Sequence, residues 1–223
     1  MPRTIARNTP QTNRIIGALP ENQYQRLQPF LKPVEFEFGK IIQEQDELIR
    51  DVYFVNSGIV SLISAVDGKS SLELGMIGRE GMVGLPAFLG VSRSAHRALV
   101  QGEGEGFKLE VTDLHNECGQ DGTLSGLLLR YTHAFLLQIT QSAICNQYHR
   151  INTRLARWLL MMHHRMGADE FRLTQEFLSS MLGVRREAVS RAAKALQDRD
   201  LIQYSRGMIK ILDLAKLKAA ACN

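Results

Sequence analysis

The run Arg186-Glu187-Ala188-Val189-Ser190-Arg191-Ala192-Ala193-Lys194 sets five hydrogen-bonding side chains among four apolar ones. With Arg186 at zero and an advance of about 100° per residue, Arg186, Ser190, Lys194, Glu187 and Arg191 share an arc of about 140°. Ala195, Ala188, Ala192, Leu196, Val189 and Ala193 fill the opposite side. Alanines let a helix lie close against its neighbour, so the polar arc is the side offered outward. Such an arc suits the reading of base edges in a major groove, where arginine holds guanine through two bonds and glutamate accepts from the cytosine amino group.

A helix can be inserted into a groove only if a second element holds it there. Thr174 is placed to cap a preceding helix whose first turn carries Gln175 and Glu176, where negative charge suits the helix dipole. Leu178, Met181 and Leu182 give that helix a buried side, and Gly183 ends it, so the pair predicts a helix-turn-helix. Residues 201–204 and 208–211 then flank Ser205-Arg206-Gly207 as a short hairpin, a wing with Arg206 near its tip, within reach of a phosphate. Upstream, INTRLARWLLMMHHRMG predicts another helix stopping at Gly167, with Trp158 in its core.

The charge is distributed to match. Residues 150–223 hold 14 Lys+Arg against 7 Asp+Glu, and residues 1–149 hold 13 against 16, so the net +4 belongs to the C-terminal third. A basic segment on a near-neutral body is what a phosphate backbone selects. With 44% hydrophobic and 22% charged residues the composition is that of a globular chain. No apolar run is long enough to cross a membrane, and the first thirteen residues carry Arg3 and Arg7 with no apolar block behind them, which predicts a mobile arm over 1–13 and no secretory signal. Three unpaired-looking cysteines, Cys118, Cys145 and Cys222, fit a reducing cytoplasm.

From Pro33 to about Val111 the chain reads as roughly seven short strands broken by glycine, among them PVEFEFG, DVYFV, GIVSLISAV and FKLEV, which predicts a sandwich or barrel-like roll. From Thr123 to about Gln147 the composition turns helical. Leu124, Leu128, Tyr131, Phe135, Gln138, Ser142 and Cys145 follow alternating steps of four and three, the seam of a two-helix packing. Leu127, Leu129, Leu136, Leu137, Ile139 and Ile144 fall elsewhere on the helix. One side is thus expected on the chain's own β domain and another on a second subunit.

In this order the elements resemble the cyclic-AMP receptor and fumarate-nitrate regulator (Crp/Fnr) family of bacterial transcription factors, over most of the chain. The resemblance implies an α+β fold: a jelly-roll-like β-roll similar to a cyclic nucleotide-binding domain over 14–120, a long dimerisation helix over 121–149, and a winged helix-turn-helix over 150–223. The pattern Glu187, two residues, Ser190-Arg191 is similar to that of the fumarate-nitrate branch, and Arg186 matches an arginine with which the cyclic-AMP branch reads DNA. It implies a cytoplasmic homodimer on an inverted repeat of double-stranded DNA with TTGA-like half-sites. Glu187, Ser190 and Arg191 would be on bases, Arg186, Lys194, Arg206 and Thr174 around them, and RNA polymerase would be a partner.

For the sensor, the resemblance aligns Gly81-Met82-Val83-Gly84 with the family's ribose-binding element and Arg93-Ser94-Ala95 with its phosphate clamp. Arg93, Ser94 and the amides before the short PAFLG helix would hold an anion. Met82 stands where the family places a glutamate that accepts from the ribose hydroxyl, and a thioether is a poor acceptor. Cyclic AMP, another small ligand and no ligand therefore stay open, as does a structural Arg93 paired with Glu80 or Glu73. No cysteine precedes Cys118, which excludes an N-terminal iron-sulfur cluster of the fumarate-nitrate kind. Cys145 with His149, and His115 with Cys118, each offer two metal ligands, and two are not four, so no metal is assigned. G-x-S-x-G, H-E-x-x-H and G-x-x-x-x-G-K-[ST] are all absent, so no enzyme is expected, and GEGEG at 102–106 reads as a strand turn. The competing function is a ligand-binding module whose C-terminal unit docks on a protein.

Overall fold

The computed structural model describes residues 9–66, 70–120 and 122–222. The chain divides into two compact units, 1–62 with 76–137 and 63–75 with 138–223.

The first unit starts with helix α1 (Glu21–Leu27) and continues through strands β1 (Lys32–Phe36), β2 (Ile41–Gln43), β3 (Asp51–Val55), β4 (Ile59–Val66), β5 (Ser70–Ile77) and β6 (Met82–Val83). The one-turn helix α2 (Leu85–Phe88) precedes β7 (Arg97–Gly102) and β8 (Gly104–Glu110). These make two four-stranded sheets, β1-β8-β3-β6 and β2-β7-β4-β5, with β4 and β5 crossing from one unit to the other. Phe36, Val52, Phe54, Ile59, Met76 and Leu109 are buried between them. The expected roll is present with eight strands. Of these, β2 and β6 are only three and two residues long, too short for an alternating pattern to show. GEGEG is where β7 turns into β8, and a Cβ on Gly104 would lie 2.1 Å from Ser57 O, so the glycine permits a close backbone approach.

A free arm does not extend to residue 13. Pro10–Thr12 is a 3-10 turn, and Asn13 is fully buried, its side-chain amide donating to Val55 O at 2.8 Å and Gly81 O at 2.9 Å. Two buried carbonyls need those donors, which ties this segment down. The part of the expected arm at residues 1–8 lies outside the described residues.

Helix α3 (Val111–Cys118) is followed by α4 (Thr123–Tyr148), 26 residues, hence about 39 Å long at 1.5 Å per residue. The seam expected to pack on another helix is turned inward. Leu124, Leu128, Tyr131, Phe135 and Cys145 are each at most 8% exposed, and the Tyr131 hydroxyl donates to Met82 O at 3.2 Å. The opposite arc carries Leu129, Leu136, Leu137, Ile144 and Tyr148, 44–77% exposed. The rhythm identified a buried stripe correctly and its partner wrongly, because a four-three repeat looks the same against a sheet as against a second helix.

The second unit holds α5 (Ile151–Met166), β9 (Glu170–Arg172), α6 (Gln175–Leu182), α7 (Arg186–Gln197), β10 (Ile202–Ser205), β11 (Met208–Ile211) and α8 (Leu214–Ala220). Gly167 ends α5 as expected, with φ of 62°. The three strands form one antiparallel sheet in the order β10-β11-β9. Leu155, Leu159, Leu178, Val189, Leu196, Ile209 and Leu217 close its core. Burial of one such leucine contributes about 1.5–3 kcal/mol. Among the described residues no helix is long and apolar enough to cross a membrane.

Candidate nucleic-acid interface

Thr174 caps α6 as its position predicts, the hydroxyl accepting from Phe177 N at 3.1 Å. Gly183 then stops the helix with φ of 61°, in the left-handed region where a side chain is disfavoured. Three residues later α7 begins. Its inner face is Val189, Ala192, Ala193 and Leu196, none more than 2% exposed. Small side chains at the centre of that face allow α7 to pack on both α5 and α6.

The outer face is the predicted arc. Arg186, Glu187, Arg191 and Lys194 are exposed and Ser190 is half-buried. Among the described residues, the Glu187, Arg191 and Lys194 side chains make no hydrogen bond or ion pair with their own chain, so their polar groups stay available. Arg186 is steadied by Gln175, whose Oε1 accepts from its Nε at 3.2 Å. That contact leaves the other guanidinium donors outward.

The wing turns at Arg206 and Gly207, with φ of 49° and 77°, the signs of a two-residue hairpin turn. Arg206 is exposed at the tip, and a cleft of about 410 Å³ between wing and α6 is lined by Thr174, Gln175, Arg186, Tyr204 and Arg206. Tyr204 fixes the base of the wing by donating to Leu173 O at 2.9 Å. Burial pushes its phenol up, against the pull of the Arg186 charge, so it holds its proton. A groove of about 790 Å³ runs along the start of α7, lined by Ser179, Ser180, Arg185, Glu187 and Arg191, and by Ser71 of β5. Ser179 and Arg185 escaped sequence reasoning, although their positions near the turn were a usable signal. Nothing in the sequence pointed to Ser71.

The expected effector residues are not assembled into an anion clamp. Met82 and Val83 are fully buried in β6, which pairs with β3, and a Cβ on Gly81 would meet the Tyr131 ring at 2.6 Å. Gly84 serves as the residue before α2. The Ser94 side chain is buried and its hydroxyl donates to His96 O at 2.7 Å. Arg93 is exposed, and its Nη1 donates to Asp46 O at 2.6 Å. Of the carboxylates considered for it, Glu80 accepts from Gly78 N and Glu73 from the Trp158 indole. A buried thioether at the position aligned with the ribose acceptor offers no strong hydrogen-bond acceptor there. His115 Nε2 lies 2.9 Å from Ala87 O.

Residues 33–121 match the model of the cyclic nucleotide-binding domain, and residues 153–220 match that of the Crp-like helix-turn-helix domain. No protein of curated function matches the chain by sequence. Among solved structures the chain is similar to a protein described as a transcriptional regulator of the crp/fnr family from Eubacterium rectale, at a TM-score of 0.75 and 17% identity, covering 94% of this chain and 98% of that one. It is similar to FixK2 from Bradyrhizobium japonicum at 0.74 and 18%, covering 86% and 98%. It is also similar to the c-di-GMP responsive global regulator CLP from Xanthomonas campestris at 0.72 and 17%, covering 87% and 100%. With a cyclic nucleotide-binding domain followed by a Crp-like helix-turn-helix, the chain belongs to the Crp/Fnr family of transcriptional regulators, DNA-binding proteins with a β-roll sensor.

Proposed function

We propose that the chain reads an inverted repeat as a homodimer, each α7 lying in a major groove with Glu187, Ser190 and Arg191 on base edges. Arg186 and Lys194 flank them, and Arg206 on the wing and Thr174 at the start of α6 face phosphates. The observation that carries this is the outward arc of α7, whose Glu187, Arg191 and Lys194 side chains make no hydrogen bond or ion pair with their own chain among the described residues. Those groups have donor and acceptor capacity that base edges satisfy. A protein-docking role for the same unit is disfavoured, since interface cores are depleted of charge and this face is not.

Dimerisation uses the exposed arc of α4, where Leu129, Leu136, Leu137 and Ile144 present apolar area along one side of a long helix. Two such helices side by side set the spacing of two recognition helices to one turn of the duplex. By analogy with the family, RNA polymerase is a further partner in this reading. Met82 offers no ribose acceptor, which weighs against cyclic AMP as a sensor ligand. CLP, of similar fold, is described as responsive to a different nucleotide.

The test is selection of duplexes from a random pool by the purified protein. A palindromic motif is expected, with an affinity that falls steeply with salt. Recovery of no symmetric motif would overturn the reading. Cyclic AMP added to the same binding assay should leave the affinity unchanged.

A further inference from the structure

The C-terminal unit contains a second set of chemically competent side chains, remote in sequence from the recognition helix. Cys145 lies in the last turn of α4 and is 3% exposed. His149 follows four residues later, its backbone N–H donating to Cys145 O at 3.1 Å, so both side chains leave the same face of the helix. Cys222 arrives from just past α8, 77 residues on, and its Sγ stands 3.1 Å from that of Cys145. One donor atom from each of the three residues lies within 4.8 Å of the other two.

Those separations are close to what a metal requires. With metal–sulfur bonds of about 2.3 Å and a metal–nitrogen bond of about 2.0–2.1 Å, the edges of a tetrahedral site are about 3.5–3.8 Å. The two sulfurs need to part by less than an ångström. A disulfide would use both sulfurs and leave the imidazole with no role, whereas a cation uses all three groups. His149 Nδ1 is buried with no hydrogen-bond partner among the described residues, a state that ligation or a neighbouring ligand's polar group relieves.

The surroundings favour thiolates once a cation is present. Gln141 Nε2 donates to Cys145 Sγ at 3.3 Å, and Arg154 and Arg157 add positive charge near the pair. Thiols that become metal ligands release their protons to solvent. Two soft sulfurs and an imidazole select thiophilic metals over magnesium or calcium.

We propose that Cys145, His149 and Cys222 form a binding site for one thiophilic d10 cation, zinc(II) or copper(I), which ties the C-terminal end of the chain to the end of α4. Zinc keeps a fourth position for an exogenous ligand, and copper(I) is satisfied by three. Nothing in the DNA reading depends on it.

The full-length reduced chain is titrated anaerobically with Co²⁺, standing in for Zn²⁺, and separately with Cu(I) against a chromogenic chelator. One equivalent per chain of either cation is expected. For cobalt, a thiolate charge-transfer band that Zn²⁺ abolishes should accompany it. Loss of an outer-shell partner of a metal costs about 10–100-fold in affinity, and loss of a ligand costs at least that. Cys222→Ser and His149→Ala should each weaken uptake by more than about tenfold, with Cys222→Ser also reducing the charge-transfer band. Both residues lie near the surface, and intact Trp158 fluorescence verifies that each variant folds. Cys118→Ser should change nothing. Uptake of neither cation by the reduced chain, or full uptake retained in Cys222→Ser or His149→Ala, overturns the proposal.

Discussion

Gly183 is the hinge on which the geometry of α6 and α7 depends, and Gly183→Ala tests it. At φ of 61° a side chain costs about 1–2 kcal/mol from backbone conformation alone. The new Cβ would also lie 2.8 Å from Cδ1 of Leu72. That atom is the end of a flexible side chain, and pushing it off its rotamer adds about 0.5–1.5 kcal/mol. The sum is about 1.5–3.5 kcal/mol. Gly167→Ala is the matched control, because Gly167 has φ of 62° and open space around it, so only the backbone cost applies. Urea unfolding followed by the fluorescence of Trp158, the single tryptophan and a buried residue of the same unit, reports both variants. Adding Leu72→Ala should bring the cost of Gly183→Ala down to that of Gly167→Ala. Equal costs in the two single variants would mean that Leu72 does not pack on the turn, and no cost in either would refute the left-handed conformation itself.

Arg191→Ala should lose about 1–3 kcal/mol at one base position and relax the choice there, whereas Arg206→Ala should weaken all sequences alike and lower the salt slope by about 1. An unchanged slope removes the wing from the phosphate backbone. Leu136→Arg combined with Leu137→Arg places charge on the exposed arc of α4, and sedimentation should find monomers with greatly weakened binding to a symmetric site. A dimer that persists puts the interface elsewhere. Burial holds the His96 imidazole below its ordinary value of 6.5, so the unfolded chain takes up a proton that the folded one resists. The stability of the first unit is therefore full above pH 6.5 and declines as pH falls from there through the lower folded value. Urea midpoints by circular dichroism should show that decline in the native chain and a flatter profile in His96→Gln; parallel profiles would refute it.

The recognition helix was readable in the amino-acid order because everything that defines it is local. Thr174, Gly183 and the polar arc of α7 act within one or two turns, and cap, stop and amphipathicity are each properties of a few adjacent residues. Strands of five or more residues announced themselves by alternation, and β2 and β6 did not. The wing was visible as a hairpin, but β9, its third strand, is three residues long and pairs with β11 across more than thirty residues.

Tertiary contact decided the rest. The four-three rhythm of α4 marks a buried stripe without saying against what, and only the fold turned Tyr131 onto Met82 and left Leu136 and Leu137 outside. The same holds for Met82, whose side chain is committed to the core of the roll. Cys145 and His149 share a helix face by spacing, but the third donor, Cys222, is brought to them by the path of α5 through α8. Short-range patterns follow from bond geometry and hydrogen bonding between near neighbours, whereas a meeting of groups 77 residues apart depends on how whole elements pack.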